Sequence, residues 1–173
     1  MTTKKEISID AYGLRLLDEL QRDARQTIQQ LAERVGLSAT PCWKRIREME
    51  EAGVIRGYTA LVDREQVGLG LSVLVEVNLG QHSEDLVQRF ERAVQACPPI
   101  VACVSTTGQS DYVLTVHCSG IQRYEQLLHE TLFKLPGVTH LRSSIVLKEV
   151  KAQTPLMLAG DGAAPRRRVR QAT

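Results

Sequence analysis

The stretch Thr27–Tyr58, TIQQLAERVGLSATPCWKRIREMEEAGVIRGY, decides the reading of this chain. It predicts a short helix, a tight turn at Val35-Gly36-Leu37-Ser38, a second helix rich in cations, and a small β ribbon. Gly36 can adopt the left-handed conformation that ends a helix. Ser38 can cap the next one by accepting a backbone N–H. Pro41 is tolerable because the first turn of a helix holds donors that lack intrahelical partners. A helix from Ser38 to just before Gly53 can be tested for sidedness at about 100° per residue. Cys42, Ile46 and Met49 fall on one face, and Thr40, Lys44 and Arg47 on the other, flanked by Trp43. One side then grips a core while the other offers cations and hydroxyls to a DNA major groove.

Outward from this stretch, the chain upstream has helical spacing from Ile9 to about Arg22. Leu14, Leu17 and Leu20 share a face with Leu16 beside them, and Asp10 is a candidate cap. Asp23–Gln26 makes the break, and Thr27 caps the helix carrying Ile28, Leu31 and Val35. Three helices and the ribbon Gly53-Val54-Ile55-Arg56-Gly57-Tyr58 describe a winged helix-turn-helix over residues 1–57. A three-helix module with a polar outer face that touches no DNA is the plainer alternative. In the DNA reading, Lys44 and Arg47 reach base edges while Ser38, Thr40 and Trp43 line the approach. Arg45 and Arg56 suit phosphates. Trp43 has the alternative of packing against the wing.

Downstream, residues 58–70 read as a linker: an extended strand Tyr58–Val62, a charged turn Asp63–Gln66, then Gly68 and Gly70. Composition then changes. Leu71–Leu79 is β-branched-rich and partly alternating, as a half-buried strand is. A helix follows from Ser83 to Ala96 and Pro98-Pro99 stops it. Ile100–Thr106 and Asp111–Cys118 read as strands around Gly108-Gln109-Ser110. Ile121–Phe133 reads as a helix, and Leu141–Val150 as the last strand. Strand, helix, strand, strand, helix, strand over residues 71–155 is the ferredoxin-like, ACT-like βαββαβ order, so the whole chain is α+β. Helices on one sheet face leave the other bare and apolar, and a twofold dimer is expected to cover it.

The chain has 173 residues, 43% of them hydrophobic, and a formal charge of +2. That is room for two small domains, but too little charge to argue for nucleic acid alone. Residues 1–60 carry ten Lys/Arg against nine Asp/Glu, so the DNA case rests on which face holds the charge. Residues 156–173 end in Pro165-Arg166-Arg167-Arg168-Val169-Arg170, read as a disordered basic tail: a solvated end, or a phosphate-binding arm. MTTKKEISID lacks a signal-peptide core and no window spans a bilayer, so a cytoplasmic protein without membrane contact is expected. Cys42, Cys97, Cys103 and Cys118 lack zinc spacing and read as reduced, mostly buried thiols. His82, His117, His129 and His140 are scattered, with no neighbouring nucleophile or metal pattern, and no phosphate-binding glycine loop opens a helix. No enzyme, metal or bound cofactor is expected.

With both halves in view, the sequence resembles the Lrp/AsnC, or feast/famine, family of transcription regulators. The carrying residues are Leu31-Ala32-Glu33-Arg34-Val35-Gly36-Leu37-Ser38, Thr40-Pro41-Cys42, Arg45-Ile46-Arg47 and Gly53–Tyr58. In the second half they are Gly108-Gln109-Ser110-Asp111-Tyr112, Leu135-Pro136-Gly137-Val138 and Arg142-Ser143-Ser144. The resemblance covers roughly residues 9–156. It implies a sequence-specific regulator of double-stranded DNA whose binding or assembly responds to an amino acid or related metabolite. It also implies homodimers assembling to octamers, with effector sites between dimers. Two positions depart from the family pattern. Gly13 stands where an aspartate is usual, and Gln109 where an acidic residue is common, which loosens any transfer of ligand identity.

An amino-acid effector presents a carboxylate and an ammonium. Successive N–H groups at Gly108-Gln109-Ser110 can bind the first, and Asp111 can pair with the second. Ser143 and Ser144 offer hydroxyls, and Tyr112 completes the motif. The alternative is an ordinary hairpin turn with Asp111 bonding local backbone. A competing reading of the whole chain is an architectural DNA-compacting protein that senses no small molecule.

Overall fold

The computed structural model describes residues 8–151 and 155–158. Two compact units emerge. One runs to Ala60 and takes in the chain from Lys151; the other is Leu61–Val150. The expected linker is therefore divided, and the basic run Pro165–Arg170 lies outside the described residues.

In the N-terminal unit, α1 spans Ala11–Arg22, α2 Ile28–Val35 and α3 Ala39–Glu51. Their boundaries follow cap chemistry. Asp10 accepts from the Gly13 N–H at 2.8 Å. Thr27 and Gln30 form a reciprocal capping box, each bond satisfying a helix-end donor. Gly36 ends α2 at φ 75°, a conformation costly for other residues. Leu16, Leu31, Ala32, Val35, Cys42, Ile46 and Met49 form the core. Burying each large aliphatic side chain stabilises by about 1.5–3 kcal/mol. The inward face of α1 centres on Gly13 and Leu16 rather than Leu14. Ile9 Cγ2 would lie 2.8 Å from a Cβ at Gly13, so a larger residue there requires Ile9 to shift.

The expected ribbon is not formed. Gly53 N–H bonds Glu50 O, and Val54 and Ile55 N–H both bond Met49 O, so half of Gly53–Tyr58 is spent closing α3. The rest has no strand to pair with. Tyr58–Val62 is likewise unpaired, with Leu61 88% exposed.

The second unit contains β1 (Leu71–Leu79), α4 (Glu84–Gln95), β2 (Ile100–Ser105), β3 (Tyr112–Cys118), α5 (Ile121–Glu130) and β4 (Val138–Ile145). The sheet order is β2-β3-β1-β4, with every neighbouring pair antiparallel. Period-two alternation sends Val73, Val75, Val77, Leu114 and Val116 into one core with Phe90 and Val94 of α4 and Tyr124 and Leu127 of α5. Gly137, at φ 76°, lets α4 approach closely, since a Cβ there would meet Leu86 Cδ2 at 2.6 Å.

β4 lies earlier than the expected Leu141–Val150. It pairs with β1 from Val138 to Ile145, and Val146 N–H makes the last bond, to Ser72 O. β1 begins at Leu71, so the apolar residues beyond have nothing to pair with; Leu147 is 96% exposed. The sheet face away from the helices is mixed rather than apolar. Leu74, Ala102, Val104 and Val113 share it with Ser72, Glu76, Thr115, His117 and Arg142.

On that face, Ser72 Oγ lies 2.7 Å from His117 Nδ1. Arg64 donates to Ser72 Oγ at 3.2 Å and to Glu149 at 3.1 Å, fastening the 63–68 turn to the sheet. Burial, and then the Arg64 guanidinium, hold His117 below its ordinary range, outweighing Glu149. Below the unfolded-state value near 6.5 the unfolded chain binds this proton more readily than the fold does. Stability should therefore fall as pH drops through about 6.5 and stop falling, for this group, below the folded value. Urea unfolding of wild type and His117→Gln between about pH 8 and pH 5 checks this. The variant should lose part of the wild-type slope.

Candidate nucleic-acid interface and effector loop

α3 is the second helix of the helix-turn-helix, and its buried stripe fixes what it shows outward. Cys42, Ile46 and Met49 face the core, leaving Thr40, Trp43, Lys44 and Arg47 exposed. Trp43 is 53% exposed, so packing against a wing does not account for it. Ser38 occupies the cap position, but its side chain makes no capping bond. First-turn N–H groups and a hydroxyl are thus presented together at the positive end of the helix dipole, where phosphate binds. Charge is graded along the helix. Its N-terminal half carries Lys44 and Arg45, and its C-terminal half Arg47 with Glu48, Glu50 and Glu51. Bases are read in such motifs from the N-terminal half.

The arginines differ in engagement. Arg45 bonds Asp10 at 2.8 Å and lies 5.7 Å above the Tyr12 ring. It braces α3 against the start of α1. The Gly13 N–H bond and then Arg45 hold the Asp10 carboxyl below its usual range. Arg47 is loosely held, 3.5 Å from Glu50 and 3.8 Å from Glu51, and Lys44 lies 4.0 Å from Glu48. Exposed pairs of this kind contribute about 0–1 kcal/mol, little obstacle to re-pairing with DNA. Arg56 is exposed on the chain that follows α3.

The expected effector set divides. Gly108, Gln109, Ser110 and Asp111 lie together in the β2–β3 connection, closed by Thr106 N–H to Asp111 O at 2.9 Å and by the Thr106 hydroxyl on Ser110 O. Two residues at the end of β1 pin it: Asn78 donates to Gln109 O at 2.7 Å, and Leu79 N–H to Asp111 Oδ2 at 2.8 Å. The other carboxylate oxygen is 3.6 Å from His82 Nε2. Asp111 thus accepts with one oxygen from the backbone at the end of β1, 32 positions away, and turns the second toward His82. Among the described residues, no acceptor meets the N–H groups of Gly108, Gln109 or Ser110.

Tyr112, Ser143 and Ser144 do not join this loop. The Tyr112 hydroxyl donates to Glu91 at 3.1 Å in a cleft of about 360 Å³ between α4 and β2, which Cys103 also lines. Ser143 is 2.5 Å from the Tyr124 hydroxyl on the helix side of the sheet. Ser144, opposite Leu74, points to the other side. Consecutive strand residues cannot line one site on one face. His82 and Asn78 escaped sequence reasoning because the turn between β1 and α4 and the end of β1 meet the hairpin only through sheet pairing. The alternation of β1, which puts Asn78 on the open face, was the available signal.

Among the described residues no helix is long and apolar enough to cross a membrane, and no group of three or more His, Cys, Asp or Glu is placed to hold a metal. A helix-turn-helix unit followed by a ferredoxin-like unit defines a DNA-binding regulator with a second domain. Residues 9–56 match the winged helix-turn-helix DNA-binding model, and residues 72–156 the Lrp/AsnC ligand binding domain. The leucine-responsive regulatory protein of Escherichia coli is 39% identical over 150 residues, 87% of this chain and 92% of that protein. That of Haemophilus influenzae is 37% identical over 158 residues, covering 91% and 95%. A Neisseria meningitidis transcriptional regulator, solved as a complex with L-methionine, superposes with TM-score 0.81 at 35% identity, covering 86% and 96%. A feast or famine regulatory protein of Mycobacterium tuberculosis, also with L-methionine, gives 0.74 at 30% identity, covering 86% and 99%. The chain belongs to the Lrp/AsnC family of DNA-binding transcription regulators.

The two arginines give opposite expectations. Arg45→Ala should lower stability by about 1 kcal/mol through loss of the Asp10 and Tyr12 contacts. Arg47→Ala should leave unfolding within about 0.5 kcal/mol but reduce discrimination among duplexes by roughly 1–3 kcal/mol. Urea unfolding and competition binding on each variant separate the two roles.

Proposed function

We propose that this chain is a sequence-specific regulator of double-stranded DNA whose binding or assembly is set by an amino acid or closely related metabolite. The observation that carries the reading is the outward face of the α3 N-terminal half, where Thr40, Trp43 and Lys44 stand exposed beside an unspent Ser38 hydroxyl. Phosphate contacts set position there, and Lys44 and Arg47 read bases.

The effector reading rests on the Gly108–Asp111 loop. Its free N–H groups suit a carboxylate and the second oxygen of Asp111 suits an ammonium. The solved relatives that hold L-methionine support an amino acid as the class of ligand. The open sheet face is the surface on which a second copy docks, giving a twofold dimer and then an octamer in a cytoplasmic protein. The ligand acts by favouring one arrangement of dimers over another, and so one spacing of the reading helices.

Thermal unfolding with each of the twenty amino acids and common keto acids, alongside light scattering and duplex binding, tests the reading. A selective ligand should raise the melting temperature with concentration and change assembly size or DNA affinity. Asp111→Asn retains an acceptor for Leu79 N–H while losing the charge, and should abolish that response. A flat screen, with duplex binding that depends steeply on salt and little on sequence, would favour the architectural alternative.

A further inference from the structure

Tyr58 lies beyond α3 on chain that forms no strand, yet its hydroxyl donates to Glu50 Oε1 at 2.9 Å. The other oxygen of that carboxylate faces Arg47, with Nη1 at 3.5 Å, the outer limit of a hydrogen bond. Glu50 is therefore shared between a phenol behind the reading surface and a guanidinium on it. A carboxylate three residues from an arginine on a helix can close on it fully, and a guanidinium held by its own helix presents fewer donors to a base. Burial and the adjacent carboxylate push the Tyr58 hydroxyl up to about 12, so the phenol is a donor at any pH the protein meets.

We infer that Tyr58 is a positioning residue for DNA reading: by holding Glu50 back, it keeps Arg47 available to the duplex. The inference rests on the reading of Arg47 proposed above. It also places a control point, because Tyr58 is two residues before the end of the N-terminal unit at Ala60. Displacement of the connecting chain pulls on this hydrogen bond, releases Glu50 and withdraws Arg47.

A duplex recovered by selection from a random pool with the full-length protein provides the probe. Its dissociation constant is measured for wild type, Arg47→Ala, Tyr58→Phe, Glu50→Gln and the Tyr58→Phe/Glu50→Gln double variant, with thermal unfolding of each. Tyr58→Phe should weaken binding about 3- to 10-fold, the scale of one ordinary hydrogen bond, without a matching change in unfolding. In the Glu50→Gln background, where Tyr58 no longer restrains a carboxylate and Glu51 faces Arg47 as before, the same substitution should change binding less than about 2-fold. Wild-type affinity in Tyr58→Phe, or a loss that persists at full size without the Glu50 carboxylate, overturns the positioning role while leaving Arg47 as a reader. Wild-type affinity and preference in Arg47→Ala overturn the reading of Arg47 itself, and this inference with it.

Discussion

The packing of Cys42, Ile46 and Met49 against Leu16, Leu31 and Val35 sets the phase of α3, and everything on the DNA side depends on it. A helix has one azimuth once its apolar stripe is buried. With that stripe inward, Thr40, Trp43 and Lys44 have no direction but outward. The braces around the stripe act on the same variable. The Arg45–Asp10 pair ties α3 to the start of α1, and Gly36 and the Thr27 capping box fix where α2 ends and begins. A functional surface is thus specified by residues that do not touch it.

The second unit rests on a different constraint. Antiparallel pairing about β1 makes alternate residues face the helices and the opposite sheet face, so each position on a strand is committed to one side. Tyr112 and Ser143 are consumed on the helix side by Glu91 and Tyr124, and Ser144 lies on the other. The unsatisfied groups collect in the hairpin between β2 and β3, beyond the end of strand pairing. There Asn78 and Leu79 hold the loop by its carbonyl and carboxylate oxygens and leave the N–H groups of Gly108, Gln109 and Ser110 unmatched among the described residues. A loop pinned on its acceptors and open on its donors is suited to an anion.

Most of the fold was legible because it rests on local chemistry. The three N-terminal helices follow from apolar spacing and from Asp10, Thr27 and Gly36. Leu71–Leu79 is bounded as its alternation implied, and the βαββαβ order follows from breaks at Pro98-Pro99, Gly108 and Pro136-Gly137. What misled depended on partners. Leu141–Val150 has the composition of a strand, but β1 runs out, and the chain after Val146 has nothing to pair with. Gly53–Tyr58 has the residues of a ribbon, yet its first half closes α3. Ser38 sits at its cap without bonding as a cap. In the site, the outward face of α3 was readable from helical phase, whereas Ser143 and Ser144 were expected in one site and strand parity sends them to opposite faces. The Arg45–Asp10 brace and the Ser72–His117 pair, which join residues 35 and 45 positions apart, leave no local trace.

Trp43 is the only tryptophan in the chain, and it stands on the face of α3 assigned to DNA. Its fluorescence therefore reports the central claim with no label on the protein. The measurement is a titration of the full-length protein with a selected duplex, following Trp43 emission while the anisotropy of a dye on the DNA records binding. The account predicts a saturable change in Trp43 emission that tracks the anisotropy, and a weaker one with a scrambled duplex at the same salt. Binding recorded by anisotropy with unaltered Trp43 emission would contradict it, because the duplex would then be held by a surface other than α3.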